Sequence, residues 1–380
     1  MKFSVIGGGG VGQVIVKHLA RATDAKVKVG DIDRARLREI ARISGDISIS
    51  PLDAGDPHEV GRLITGSDLV INASHPRFNL LIMKQALKRR VNYIDLAGYP
   101  AEQMKHDSKW RKAGLVAILG MGEDPGLSNV LARRGVDMLD RVSEIRIRDG
   151  ETSTSEMYPF VALFSPDVFL EEAVSPARYF QNGEMKTNLP MSGRETYRFP
   201  PPIGEVSVYA MDHEEVHTLP VYLPKKPNFV DFKLALRDET ASAIKLFQGL
   251  GLLSRKLVRV GPVKVSPLSV LLHLLPSPSQ IAGKISGNAG ILVEIWGEAS
   301  GKQCVQKLYS IMTHDEAYEK HMANATSYLT GTPTAVCALM LAQRRIESEG
   351  VIVPECLNPE SFIGEARKFD LEIRIEKTEV

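Results

Sequence analysis

The fold is decided by the stretch KFSVIGGGGVG, residues 2–12. A short apolar strand ending at Ile6 leads directly into Gly7, Gly9 and Gly12, which follow the spacing G-x-G-x-x-G. In this pattern the first glycine permits a tight turn, the second lets the backbone approach a pyrophosphate, and the third lets the next helix lie close to the strand. The free N–H groups at the start of that helix favour phosphate. The stretch therefore predicts a dinucleotide-binding site.

Asp31 ends the second predicted strand, where a carboxylate can accept a hydrogen bond from a ribose 2′-hydroxyl. Asp31 and Asp33 would both repel a 2′-phosphate, which favours NAD as the cofactor, whereas Arg34 leaves NADP open. The loops that follow the parallel strands should line the same cleft. The residues predicted to bind the cofactor are Gly7, Gly9, Gly10, Val11, Gly12, Asp31, Ile32, Asn72, Ala73, Ser74 and Asp95.

Strands and helices alternate through the first 120 residues, with six predicted strands. This alternation predicts an α/β fold with a Rossmann-type, doubly wound parallel sheet. From about residue 140 short strand-like runs separated by Pro and Gly take over, one of them over Glu215–Leu219, which predicts an α+β second domain with a mostly antiparallel sheet. The segment 277–290, rich in Ser, Pro and Gly, is either a mobile loop or lid or a plain surface loop. An apolar helix over 334–349 should pack back on the first domain. We therefore predict a dinucleotide-binding domain of residues 1–125 and 330–380, and a substrate-binding and dimerisation domain of residues 126–329.

Composition limits the classes of partner. The formal net charge of the 380 residues is +1, which gives no reason to expect nucleic acid, and no apolar run is long enough to predict a membrane partner. The three cysteines are scattered, no His, Cys, Asp and Glu cluster has metal-ligand spacing, and the chain begins at once with a core strand. We expect a cytoplasmic homodimer that binds a small molecule and no metal.

Two further motifs are narrower than the glycine loop. One is the stretch GEDPGLSN, residues 122–129, and the other runs from Gly331-Thr332-Pro333 to Pro354-Glu355. Together with the glycine loop, these two motifs resemble the family of saccharopine dehydrogenases and lysine 6-dehydrogenases. The segments around Ser165-Pro166 and His217–Pro220 are most similar to the lysine 6-dehydrogenase branch of that family. The resemblance implies NAD(P)-dependent oxidation at a C–N bond of an amine or amino acid, giving an imine.

The resemblance has one departure. Relatives usually carry a Gly-Gly-Leu-Pro turn after the first strand of the second domain, whereas this chain has Arg148-Asp149-Gly150-Glu151. Because that turn borders the substrate side, the amine substrate is left open. Arg148, Arg194 and Arg198 are each either a clamp for a substrate carboxylate or a surface charge.

Oxidation of an amine requires a free lone pair on nitrogen, so a site working near neutral pH needs a proton acceptor. Asp124 is the leading candidate because it follows the sixth strand and because the resemblance points to the same Asp-Pro-Gly carboxylate, although Asp before Pro is also a common helix cap. Glu123 is the alternative in the same loop. His75 follows the fourth strand and either donates to the cofactor or satisfies local backbone.

These observations predict an NAD(P)-dependent oxidoreductase similar to L-lysine 6-dehydrogenase, with oxidative deamination as the reaction. Two alternatives stay open at this point. One is a dehydrogenase of secondary amines of the saccharopine or carboxynorspermidine type, which requires a larger pocket. The other is a non-catalytic NAD-binding redox sensor, which would keep the glycine loop and Asp31 but would need neither Asp124 nor His75.

Overall fold

A computed structural model describes residues 1–98 and 100–379. The first part of the chain alternates strands and helices as the sequence predicts, except that two short helices replace the single one expected over 101–113. Its elements are β1 (Lys2–Ile6), α1 (Gly10–Ala20), β2 (Lys26–Asp31), α2 (Arg34–Ile40), β3 (Asp46–Pro51), α3 (Pro57–Ile64), β4 (Leu69–Asn72), α4 (Asn79–Arg89), β5 (Asn92–Asp95), α5 (Pro100–Met104), α6 (Asp107–Ala113) and β6 (Val116–Ile118).

These strands form one parallel sheet, and a seventh strand joins it from the tail, β18 (Gly350–Ile352). The order is β18-β6-β5-β4-β1-β2-β3, so the chain reverses its direction of travel between β1 and β4. A crevice opens at such a reversal outside the carboxyl ends of the strands. The predicted Rossmann sheet is confirmed, and its switch point lies where the glycine loop begins.

The second part of the chain builds a mixed, mostly antiparallel sheet, which confirms the predicted fold class. Its elements are α7 (Leu127–Asp137), β7 (Arg141–Asp149), β8 (Thr152–Thr154), α8 (Pro166–Val174), β9 (Ala177–Gln181), β10 (Glu184–Asn188), β11 (Glu195–Arg198), β12 (Glu205–Ala210), α9 (Glu215–Tyr222), β13 (Phe229–Ala235), α10 (Asp238–Gly249), β14 (Val258–Val260), β15 (Val263–Val265), α11 (Pro267–Leu274), α12 (Pro278–Ile281), β16 (Ser286–Ala299) and β17 (Lys302–Thr313).

The main path of this sheet runs β10-β9-β13-β7-β16-β17-β19, where β19 is Arg374–Glu379. Strands β11 and β12 extend it from β13, and β8 pairs with β16. The neighbours β7 and β13 are parallel. Strand β7 lies in the middle of this path, and Asp149 at its carboxyl end is buried.

The tail contributes α13 (His314–His321), α14 (Ala325–Ala342) and α15 (Pro359–Ala366). Helix α14 is buried along almost its whole length and packs on α1, where a Cβ at Gly331 would lie 2.8 Å from the Val14 Cβ. A helix that is apolar on every side must be covered on every side. Helix α14 therefore packs between α1 and the second sheet, where it contacts β16 and β17.

Three local predictions differ from the structure. The segment from Glu215, predicted as a strand, is the helix α9 with Pro220 inside it, because the apolar residues of this short run fit either period. The segment 277–290, predicted as a loop or lid, contains α12 and the start of β16. The last strand joins the second sheet. The division of the chain into two domains at residues 125 and 330 stays a prediction.

Among the described residues, the helices do not include one with the length and apolar character that crossing a membrane requires.

Candidate active site

The glycine loop has the geometry that a dinucleotide requires. A Cβ at Gly7 would lie 2.5 Å from the Ala73 carbonyl oxygen, and one at Gly12 would lie 2.0 Å from the Gly7 carbonyl oxygen. A Cβ at Gly9, by contrast, would meet nothing within 4 Å. Two glycines therefore keep the turn tight against its neighbours, while Gly9 presents open backbone where a pyrophosphate would pass, at the start of α1.

Asp31 fastens this loop and faces the same cleft. Its Oδ2 accepts a hydrogen bond from the Gly8 N–H at 2.6 Å, and its Oδ1 accepts one from the Asp33 N–H at 2.7 Å. The Arg36 guanidinium lies 3.9 Å from the Asp31 carboxylate and also lines the cleft. A carboxylate suited to a ribose hydroxyl and a guanidinium suited to a 2′-phosphate thus stand side by side.

A cleft of about 600 Å³ extends from the glycine loop to the second sheet. All but one of the eleven residues predicted to bind the cofactor line it, namely Gly7, Gly9, Gly10, Val11, Gly12, Asp31, Ile32, Asn72, Ala73 and Ser74. Asn72 is fixed by its neighbours, because its Oδ1 accepts hydrogen bonds from the Ser74 N–H and Oγ. The far part of the cleft is lined by Asp124, which follows β6 of the first sheet, and by Asp149, which ends β7 of the second.

Asp95, the remaining predicted cofactor residue, does not line this cleft. Its side chain is fully buried and accepts hydrogen bonds from Tyr93, Gln103 and the Gly120 N–H. Burial raises its pKa to about 6 against these hydrogen bonds. The carboxylate ties β5 to the segment after β6, and the prediction that it touches the cofactor does not fit this geometry.

Four carboxyl groups converge at the inner end of the cleft: Glu123, Asp124, Asp149 and Glu151. Asp124 and Asp149 line the cleft itself. Glu123 is only 2% exposed and lies behind them, and one of its carboxyl oxygens has no hydrogen-bond partner among the described residues. Glu151 accepts a hydrogen bond from the Thr326 hydroxyl at 2.9 Å, at the start of α14.

These carboxyl groups hold their protons more tightly than ordinary acids do. Burial, opposed by His213 and assisted by Glu123, holds the pKa of Asp124 well above its usual range. Burial and the carboxylates of Asp124 and Glu151 do the same for the pKa of Asp149. Burial raises the pKa of Glu151 to about 7. Groups with such raised pKa values are suited to exchanging protons near neutral pH.

His213 supplies positive charge to this acidic region. Its Nδ1 lies 2.6 Å from the Glu215 Oε2, and its ring stacks on Phe232 with 3.9 Å between the ring centroids. Burial disfavours protonation of the ring, but Glu215, Asp124 and Glu214 outweigh it and hold the pKa of His213 well above its usual range. Glu215 in turn accepts a hydrogen bond from the Ser128 hydroxyl at 2.6 Å.

The ligand atoms of His213, Glu214 and Glu215 lie within 4.8 Å of one another, a grouping that could hold a metal ion. However, the short contact between His213 and Glu215 is that of a hydrogen-bonded ion pair, and the Glu214 carboxylate accepts the Gly98 N–H at 2.7 Å. The present partners therefore satisfy the group without an ion. The absence of a metal cofactor stays a prediction.

His75 lies at the cleft wall between the cofactor region and α8. Its Nδ1 accepts the Arg77 N–H at 3.2 Å, so the neutral ring carries its proton on Nε2, which lies 3.5 Å from the Asp167 carboxylate. Burial and the Arg77 guanidinium lower its pKa against the attraction of Asp167. His75 therefore does bind a local backbone N–H, as one of the two alternatives had it, and its ring also lines the cleft.

The three arginines considered as carboxylate clamps have partners elsewhere. Arg148 is 3% exposed and donates two hydrogen bonds to the Asp231 carboxylate. Arg194 pairs with Asp238, and Arg198 pairs with Glu205. None of the three lines the cleft. Sequence reasoning missed Asp149 and Glu151, although the departing turn that it noted contains both.

A second cavity of about 530 Å³ opens from the cleft beside His213. It shares six lining residues with the cleft, namely His75, Pro76, Ala97, Val168, Glu172 and His213. Among the described residues, the rest of its wall carries four acids between apolar residues, namely Glu102, Glu171, Asp212 and Glu214, and a single guanidinium, that of Arg178, which is paired with Asp212. The region beyond the cofactor cleft therefore suits cationic rather than anionic groups.

The glycine loop, Asp31 and the cleft at the switch point define a nicotinamide-dinucleotide-dependent oxidoreductase. A sequence model of the saccharopine dehydrogenase NADP binding domain matches residues 3–118, and one of the saccharopine dehydrogenase C-terminal domain matches residues 122–369. The chain belongs to the saccharopine dehydrogenase family, as the resemblance predicts. The cofactor is a nicotinamide dinucleotide, NAD(P).

Two relatives align along almost the whole chain. A carboxyaminopropylagmatine dehydrogenase of Synechocystis sp. is 26% identical over 97% of this chain and 96% of its own length. A carboxynorspermidine synthase of Vibrio alginolyticus is 28% identical over 98% of this chain and 96% of its own length. The apo saccharopine dehydrogenase (L-Glu forming) of Saccharomyces cerevisiae has the same fold, with a TM-score of 0.75, 14% identity and 99% coverage of both chains.

Proposed function

We propose that this protein is an NAD(P)-dependent oxidoreductase that forms or oxidises a secondary amine, and that its substrate is a carboxylated polyamine. The observation that carries the proposal is the pair Asp124 and Asp149 at the end of the cofactor cleft, with one Asp149 oxygen unpartnered among the described residues. The acidic cavity beyond this pair and the names of the two full-length relatives favour a polycationic substrate over L-lysine.

The proposed reaction is the oxidation of a secondary amine. A secondary amine loses a hydride from the carbon next to nitrogen and a proton from nitrogen, which gives an imine, and water then cleaves the imine to a primary amine and a carbonyl compound. A nicotinamide dinucleotide held by the glycine loop and Asp31 would supply the hydride acceptor, and in the reverse direction the hydride donor. The protein must therefore hold the amine beside the cofactor and accept its proton.

We assign this task to Asp124 and Asp149. A substrate ammonium that enters the cleft meets carboxyl groups whose pKa values are raised by burial and by neighbouring carboxylates. An ammonium stabilises one of them as a carboxylate, and that carboxylate can then take the proton that leaves nitrogen. His213 limits the build-up of negative charge around the pair. Glu123 lies behind the pair and acts through it.

The test is turnover of a substrate panel. Purified protein is mixed with NAD⁺ or NADP⁺ and with carboxynorspermidine, saccharopine or L-lysine at pH 9, and the absorbance of the reduced nicotinamide is followed. We expect turnover of carboxynorspermidine. Turnover of L-lysine alone would instead support the deamination predicted from the sequence, and cofactor binding without turnover of any amine would support a redox sensor.

The variants D124N and D149N test the assignment within the site. Each should lower kcat by about 10²- to 10⁴-fold, because a general base contributes on that order. The Kd of NADPH should stay within about threefold, since neither carboxyl group belongs to the glycine loop. An unchanged kcat in both variants would remove the pair from the mechanism. The homodimer and the cytoplasmic location stay predictions.

A further inference from the structure

Glu172 occupies the junction of the cleft and the acidic cavity. Among the described residues it is the one carboxyl group that lines both spaces. Helix α8 fixes this position: Phe169, Leu170 and Ala173 are buried in the core, so the helix cannot rotate without exposing them. Val168, one turn before Glu172 on the same helix face, lines both spaces as well.

The neighbours of Glu172 leave its carboxyl group available. Its acidic neighbours are occupied: Glu171 and Asp167 pair with Arg255, and Asp212 pairs with Arg178. Glu172 has no ion-pair or hydrogen-bond partner among the residues that the structure describes. The pKa of Glu172 is raised to about 8, mainly by burial. The charge of His213 opposes this shift, and the carboxylates of Glu214, Glu215 and Asp212 add to it.

We propose that Glu172 binds a second ammonium group of the substrate, one that lies beyond the nitrogen that reacts. This inference rests on the proposed function, because it assigns the reacting nitrogen to the end of the cleft at Asp124 and Asp149. The substrate arm would then run from that pair past His213 to the junction, and the remaining acidic wall of the cavity would face any further ammonium group.

The test is a comparison of two amines of equal skeleton by calorimetry, with the full-length protein saturated with NADPH. Norspermidine carries a terminal amino group on each propyl arm, and dipropylamine carries none. At pH 8.5, above the pKa of Glu172 of about 8, we expect wild-type protein to bind norspermidine at least about tenfold more tightly, since a charge-assisted hydrogen bond to a partly buried carboxylate is worth about 10- to 100-fold in Kd. In E172Q that ratio should fall to within about threefold.

Two controls accompany the variant. E184Q removes an exposed carboxylate from β10, far from the cleft lining, and should keep the wild-type ratio. E172D keeps the charge on a shorter side chain and should restore part of the wild-type difference in affinity between norspermidine and dipropylamine. Retained NADPH affinity in E172Q shows that the variant is folded. Equal ratios in wild type and E172Q, or no discrimination by wild type, would overturn the inference.

The outcome separates this inference from the proposed function. If the wild-type protein oxidises no secondary amine but discriminates between the two probes through Glu172, the ammonium site stands and the proposed reaction is wrong. If carboxynorspermidine is oxidised but E172Q leaves the ratio unchanged, the reaction stands and the second ammonium site is wrong.

Discussion

Glu355 offers a quantitative test of the electrostatics of this fold away from the cleft. Its side chain is fully buried, its Oε2 accepts a hydrogen bond from the Asn129 amide at 3.0 Å, and its Oε1 has no partner among the described residues. Burial raises its pKa from 4.5 to about 7 against the hydrogen bonds of Thr218 and Asn129. The ionised form is therefore disfavoured in the folded protein.

The sign follows from this shift. Because the folded pKa is the higher one, the folded protein is unpenalised below pH 4.5 and loses stability as the pH rises through 7. The penalty from ionising Glu355 is about 1 kcal/mol at pH 5 and about 3 kcal/mol at pH 8.5. E355Q keeps the acceptor for Asn129 and removes the ionisation. Its free energy of unfolding relative to wild type should therefore rise by about 2 kcal/mol between these pH values.

The assay is urea unfolding of both proteins at pH 5, 7 and 8.5, followed by tryptophan fluorescence, with the same slope m required of both. E347Q, which removes an exposed carboxylate a few residues away, is the matched control and should show a difference near zero at every pH. Parallel curves for wild type and E355Q across the three pH values would refute the reasoning, because Glu355 would then titrate alike in the folded and unfolded chain.

Three further substitutions test other parts of the structure. G12A should abolish NADPH binding in a fluorescence titration, because its Cβ would lie 2.0 Å from the Gly7 carbonyl oxygen; binding within tenfold of wild type would contradict the loop geometry. R36A should raise the Kd of NADPH about tenfold while that of NADH changes little, and an unchanged ratio would show that Arg36 does not contact a 2′-phosphate. R148M leaves Asp231 unpaired and should cost about 3–5 kcal/mol in urea unfolding, whereas R148M/D231L should recover most of it; equal losses would show that the ion pair is not responsible.

The nucleotide half of the site could be predicted from sequence because it is local. A strand, three glycines, a helix and an acid occur in order within about thirty residues, and each has a position-specific reason to be there. Asp95 shows the boundary of that reasoning. Its position at the end of the fifth predicted strand indicates a cleft residue. Its side chain instead points into the core, where its carboxylate accepts hydrogen bonds from Tyr93 and Gln103. The direction of a side chain at a strand end is set by such partners.

Most of the substrate half could not be predicted, because its residues come from distant segments; Asp124 is the exception, since it follows the sixth strand of the first sheet. Asp124, Asp149, His213 and Glu172 lie in four separate connections or elements, and no local pattern links them. One signal was present in the sequence. Asp149 and Glu151 lie in the turn that departs from the family's usual Gly-Gly-Leu-Pro. Asp149 ends β7, which lies beside β13 in the second sheet, and this pairing joins segments that are about eighty residues apart in the chain.

The acidic half of the site also predicts a proton balance. At pH 7 the carboxyl group of Glu172, with a pKa of about 8, is mostly protonated in the free protein. A bound ammonium favours the ionised form, so binding should release protons, with Glu172 contributing up to about one. Calorimetric titration of norspermidine in two buffers of different ionisation enthalpy measures this number. The release should be smaller in E172Q than in wild type by the share of Glu172. A release that is the same in both proteins would mean that the proton comes from Asp124, Asp149 or the amine itself, and that Glu172 does not exchange its proton for the incoming cation.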